Sequence, residues 1–257
     1  LFSRRVRAPR DGRVVAVGRG QVLMEVGVTK MELRAGIPGT VVQILPNRGV
    51  VIQTAGALIQ GVWGNGRIAS GTLVNLAENP DDILTAGRMD VSLRGAIILA
   101  GIVDDAETLQ AAAELPVRGL ILSSIFPVLI PRAQEMRFPI IVTDGFGSMP
   151  MNSAAYKLLR TNAKRDVTVN AEIHDRYSGA RPEVIIPLPV SEIPLTPREV
   201  ETFAPGLQVR MRRPPAMGMI GSIVAIKPGL TTLPSGLRAR AAEVKLENDE
   251  TVIAPLV

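Results

Sequence analysis

Leu93-Arg94-Gly95-Ala96-Ile97-Ile98-Leu99-Ala100-Gly101 opens the section of the chain that decides its fold. Beyond this apolar run, residues 105–115 carry helical spacing through Leu109, Ala112 and Ala113, and residues 119–123 are apolar again. Residues 127–136 then resemble a helix, 139–143 a strand, 152–159 a helix and 166–171 a strand. The order is β-α-β-α-β-α-β. Uninterrupted aliphatic strands separated by helices predict a parallel sheet covered on both faces, a three-layer α/β unit over residues 77–174.

In such sheets ligands bind beyond the carboxyl ends of the strands. Asp104 and Asp105, Ser123 and Ser124, and Asp144 in Asp144-Gly145-Phe146-Gly147 fall at that edge. Acids and hydroxyls together suit a metal–phosphate group. No dinucleotide fingerprint or P-loop follows the first strand, however, and Asp104 or Asp105 serves equally as the cap of the next helix. Asn152 likewise fits a cap, and His174 lies in a polar stretch as a surface histidine.

Upstream, residues 13–17, 21–26, 39–45 and 50–53 read as short Val- and Ile-rich strands punctuated by Gly and Pro. A repeat runs through them. Val6-Arg-Ala-Pro-Arg-Asp-Gly12-Arg-Val-Val-Ala-Val17 aligns without gaps on Leu33-Arg-Ala-Gly-Ile-Pro-Gly39-Thr-Val-Val-Gln-Ile44, 27 residues later. Each copy pairs a glycine turn with a strand that needs a neighbour to complete its core, which predicts a small pseudo-symmetric barrel or sandwich over residues 1–76. The stretch resembles the biotinyl/lipoyl-type barrel-sandwich fold, with Val28-Thr29-Lys30-Met31-Glu32-Leu33 in place of the Met-Lys-Met hairpin, Gly36-Ile37-Pro38-Gly39-Thr40-Val41 after it, and Gly56-Ala57-Leu58-Ile59 as the following strand. The resemblance implies Lys30 as a prosthetic attachment point; an ordinary surface lysine is the alternative.

Gly61-Val62-Trp63-Gly64-Asn65-Gly66-Arg67 is the most conspicuous loop. Its glycines permit positive φ and close backbone approach, and Trp63 adds a large flat surface. Phosphate binding would need a helix immediately after it, which the sequence does not promise. Trp63, Gly64, Gly66 and Arg67 therefore read as an interaction loop, or as a hairpin turn with the indole covering the end of the barrel. Residues 175–205 hold Pro182, Pro187, Pro189, Pro194, Pro197 and Pro205 and read as a connector, with one short helix signalled by Thr196-Pro197-Arg198-Glu199.

Residues 206–257 carry the most specific match. Gly206-Leu-Gln-Val209-Arg210-Met-Arg212-Arg213-Pro214-Pro215-Ala-Met-Gly218-Met-Ile-Gly221-Ser-Ile223 resembles the KOW motif of NusG-type transcription factors and several ribosomal proteins, with Leu207 in place of an acid and Pro214 in place of a turn glycine. The resemblance implies an SH3-like β-barrel. Val209, Ile223, Val224, Val244, Leu246 and Val252 would point inward, with Gly218 and Gly221 at a sharp reversal. It also implies RNA or protein contacts through exposed loops, for which Arg210, Arg212, Arg213, Lys227, Arg238 and Arg240 offer cations. No Trp, Tyr or Phe lies in this segment, so base stacking on it is unavailable and RNA contact would be to phosphate or shape.

Composition narrows the chemistry. The 257 residues include no cysteine and one histidine, which leaves no thiolate zinc site, disulfide framework, cysteine nucleophile or His-rich metal site. No catalytic constellation, metal site or cofactor is expected. Charge is uneven: residues 1–76 carry ten Lys or Arg against three acids, residues 77–205 twelve against seventeen, and residues 206–257 seven against four. No apolar run approaches the length of a membrane span, the first residues hold no signal-peptide core, and the cytoplasm is the expected compartment. Scarce catalytic residue types, a mean hydropathy of +0.24 and oppositely charged sections predict a non-enzymatic modular assembly protein that docks to itself as a homo-oligomer or to a larger complex. An RNA- or ribonucleoprotein-binding factor is the second reading, and a ligand-binding or carrier subunit the third.

Overall fold

The computed structural model describes residues 6–27, 32, 35–175, 177–189 and 202–256. Lys30 and the helix signalled at Thr196-Pro197-Arg198-Glu199 lie outside the described residues. The chain divides into two compact units, Leu1–Ala35 and Gly36–Val257.

The first unit is a hairpin of β1 (Arg13–Gly18) and β2 (Gln21–Glu25). Arg19 and Gly20 both take positive φ, 49° and 76°, the two-residue turn that suits strand twist. Register slips at a bulge between Val14 and Ala16. The second unit opens with the other copy of the repeat, β3 (Thr40–Leu45) and β4 (Gly49–Gln53), whose bulge falls between Val41 and Gln43, 27 residues on. The opening glycines are equivalent too. A Cβ on Gly12 would lie 2.5 Å from the Glu25 carbonyl oxygen, and one on Gly39 would lie 2.6 Å from that of Gln53.

The rest of the second unit is built on a nine-stranded sheet. Its strands are β5 (Gly56–Gln60), β6 (Trp63–Gly64), β7 (Ile68–Asn75), β8 (Ile97–Leu99), β9 (Ile102–Val103), β10 (Gly119–Ile125), β11 (Ile140–Phe146), β12 (Asp166–Asn170) and β13 (Glu183–Pro187). The order is β5-β13-β12-β7-β8-β10-β11-β6, with β9 also beside β10. β7, β8, β10 and β11 are parallel, whereas β12, β13, β5 and β6 each join antiparallel. Helices α1 (Ala106–Glu114) and α2 (Ile130–Glu135) cover one face, placing Leu109, Ala112 and Ala133 on Ile98, Leu120, Leu122 and Val142. Helix α3 (Ser153–Thr161) sets Ala155, Tyr156 and Leu159 into the opposite cluster with Ile97, Leu99, Ile121 and Ile141. The alternation of Ile97, Ile98 and Leu99 between these clusters is the two-residue period of a strand buried on both sides.

C-terminal to this, β14 (Gln208–Arg210), β15 (Ile220–Ile226), β18 (Ala241–Leu246) and β19 (Thr251–Pro255) form a four-stranded antiparallel sheet, and β16 (Thr231–Thr232) pairs with β17 (Arg238–Ala239) as a separate ribbon. Ile223, Val244 and Leu246 are buried on its inner side.

These observations correct the expected fold class. The described residues are mostly β, with three helices of nine, six and nine residues, and the sheet is mixed rather than the core of a three-layer parallel α/β unit. Aliphatic runs report burial on two faces but not strand direction, so β12 was legible as a strand and its antiparallel pairing with β7 was not. Among the described residues no N-terminal barrel-sandwich is seen: β5, β6 and β7, assigned to it, belong to the nine-stranded sheet. The connector over residues 175–205 supplies β13, whose end at Pro187 meets Gly56. Among the described residues β14 and β19 are the edges of the C-terminal sheet. Val224 points outward, 52% exposed, because it follows the inward-facing Ile223 and successive strand residues face opposite sides.

Candidate functional site

The carboxyl edge of the parallel strands is where the sequence placed a ligand, and side chains fill it. Asp144, near the end of β11, is 3% exposed, and one of its oxygens lies 2.7 Å from Nη1 of Arg210 on β14. Thr143 Oγ1 donates to the other oxygen at 2.6 Å, and Asn152 Nδ2 approaches the Arg-bound oxygen at 3.3 Å. Asn152 also caps α3, accepting from Ala155 N at 2.9 Å. The space beside Asp144 and Arg210 is about 10 Å³, room for no more than a water. Nearby, Ser153 Oγ donates to Glu247 at 3.0 Å. The edge thus fastens the C-terminal sheet to the central one through a charge-assisted bond in a largely dry setting.

The other edge residues do not converge on it. Asp105 caps α1, accepting from Thr108 N at 2.7 Å and from Thr108 Oγ1 at 2.8 Å, while Asp104 faces solvent. Ser124 Oγ donates to Gly147 O at 2.5 Å and accepts from Met149 N at 3.1 Å, holding the turn after β11. Ser123 is fully buried, and its hydroxyl finds no partner among the described residues. Among those residues no group of three or more His, Asp or Glu side chains could hold a metal ion.

The Trp63 loop is a sheet edge. Trp63 and Gly64 form β6 against Val142 and Ile141, and the half-buried indole packs on the core under α1 and α2. A Cβ on Gly64 would lie 2.4 Å from Ala171 O, and Gly66 takes a φ of +77°. Asn65, which the sequence did not single out, donates to Ala133 O and Phe138 O at 3.1 and 2.9 Å and accepts from Ile140 N at 3.0 Å. The Arg67 side chain remains exposed.

Of the six cations offered for nucleic acid, Arg210 is held by Asp144 and Lys227 by Glu243 at 2.9 Å. Arg212, Arg213, Arg238 and Arg240 are exposed and make no ion pair among the described residues. Arg212 and Arg213 flank a cavity of about 350 Å³ in the C-terminal sheet, lined also by Phe203, Val209, Ile223, Val244 and Ala254.

The two repeat hairpins present the most apolar surface. Val14, Val15, Val17, Val22 and Leu23 on the first, and Val41, Val42, Ile44, Val50 and Val51 on the second, are exposed, reaching 73% at Val17 and 71% at Ile44. Consecutive residues on the strands without a bulge, Val22 and Leu23 on β2 and Val50 and Val51 on β4, are both uncovered, so each hairpin offers aliphatic side chains on two faces. No family model, curated protein or solved structure matches the chain. Among the described residues no helix is long and apolar enough to cross a membrane.

Proposed function

We propose that the protein is a non-enzymatic assembly component that associates with further copies of itself through the β1–β2 and β3–β4 hairpins. The observation that supports this is their ladder of exposed Val, Ile and Leu. A lone two-stranded hairpin is marginal in water, and an aliphatic surface on both faces gains stability only when another surface covers it, at roughly 25 cal/mol per Å² removed from water. The shared glycine and bulge positions give the two hairpins the same local shape, so a second copy presents a matching surface. RNA binding is the weaker reading, because Arg210 and Lys227 are already neutralised within the chain.

Light scattering on size-exclusion fractions tests the proposal. Assembly above the monomer mass is expected, and Val17→Lys together with Ile44→Lys shifts it toward monomer without changing the melting of the second unit. A strictly monomeric native chain at every concentration sampled overturns it.

A further inference from the structure

The cavity in the C-terminal sheet lies where that sheet fails to close. Val209 and Arg210 of β14 line one side, Ala254 and Pro255 of β19 with Leu256 line the other, and Ile223 and Val244 of the two central strands form the floor. Among the described residues both edge strands border one hollow without pairing across it.

Backbone parity shows what those edges present. Ile223 N donates to Leu207 O and Met211 N to Met219 O, both at 2.9 Å, so Leu207, Val209 and Met211 are bonded toward β15. In an antiparallel ladder the alternate residues, Gln208 and Arg210, point their N–H and C=O groups the other way. On the far side, Leu246 N donates to Glu250 O at 2.7 Å and Leu256 N to Arg240 O at 2.9 Å, so Val252 and Ala254 are bonded to β18 and Ile253 faces outward. The seam thus combines strand edges that are unpaired among the described residues with an apolar hollow of about 350 Å³, large enough for side chains. Its rim is cationic: Arg212 and Arg213 are exposed without ion-pair partners among the described residues, in a segment with seven cations against four acids.

We propose that this seam binds an extended acidic peptide, which adds as a strand beside β14, places an apolar side chain in the hollow and sets carboxylates against Arg212 and Arg213. Strand edges and an aliphatic lining favour a peptide over RNA, since Phe203 is the one aromatic in the lining among the described residues and bases would find little to stack on. No hairpin residue lines the cavity, and the proposal stands without the assembly proposal.

Fluorescence anisotropy of the full chain with a labelled dodecapeptide of alternating glutamate and valine provides the test, with the alternating lysine–valine peptide and a single-stranded RNA dodecamer as comparisons. The acidic peptide binds and the basic one does not. R212E/R213E weakens binding by about tenfold or more. Gln208→Pro, which removes an outward N–H while sparing the bonds to β15, weakens it comparably. Arg212 and Arg213 are exposed, so the double variant keeps the test valid even if Gln208→Pro unfolds the sheet. Absence of acidic-peptide binding, equal binding by wild type and R212E/R213E, or tighter capture of the RNA by this same arginine pair overturns the proposal.

Discussion

Asp144 shows how much of a residue's surroundings lies beyond its local sequence. Its position at the end of an aliphatic strand was legible, but its partner Arg210 is 66 residues away, and nothing local to either signals the pair. Removing Asp144 leaves the half-buried Arg210 without its carboxylate, so Asp144→Ala is expected to cost about 1.5–3 kcal/mol in chemical denaturation, with Asp144→Leu/Arg210→Met recovering much of the loss. Single and double variants of equal stability would contradict that. Asp82 offers a pH test. The Glu78 N–H donates to it at 2.6 Å, and that bond, with a lesser one from Asn79 and the nearby Arg88 guanidinium, holds its carboxyl below the ordinary 3.8. The stabilisation is complete above the ordinary value and is lost as pH falls through the lower, folded one. Carboxyl-carbon NMR should place the Asp82 midpoint below 3.8; a midpoint at or above it would refute the role of the Glu78 bond.

Individual elements were far more legible than their partners. The first strand was read at residues 13–17 and runs Arg13–Gly18, because Val-rich alternation bounded by glycine turns is local information. β5 was read as a strand as well, yet it pairs with β13, where Ile59 meets Val184 across more than a hundred residues. Such pairing depends on which buried edge remains open, a property no window of sequence contains. The hairpin glycines give the test at this scale. Since a Cβ on Gly39 would sit 2.6 Å from Gln53 O, Gly39→Ala should open the start of the β3–β4 ladder and accelerate amide exchange there, leaving β10 and β11 protected. Unchanged protection of β3 would count against the close approach.

For the whole molecule, both core clusters of the central sheet lie between Ile59 and Ile186. A chain beginning at Gly36 should therefore keep the main cooperative melting transition, whereas Ile121→Ala, at a fully buried position on β10, should cost about 2–5 kcal/mol. Disappearance of that transition in the shortened chain would show that the central core depends on the first unit. The overall architecture was the least legible level: strands assigned to separate modules are shared by one sheet.

The duplicated hairpin also bears on valence. A molecule with one sticky face stops growing once it has found a mate, whereas one bearing two can hand a free end onward after every addition. On the proposed reading each copy is bifunctional, so its natural products are closed rings or indefinite fibres, and disabling a single hairpin would convert a polymer into a capped pair.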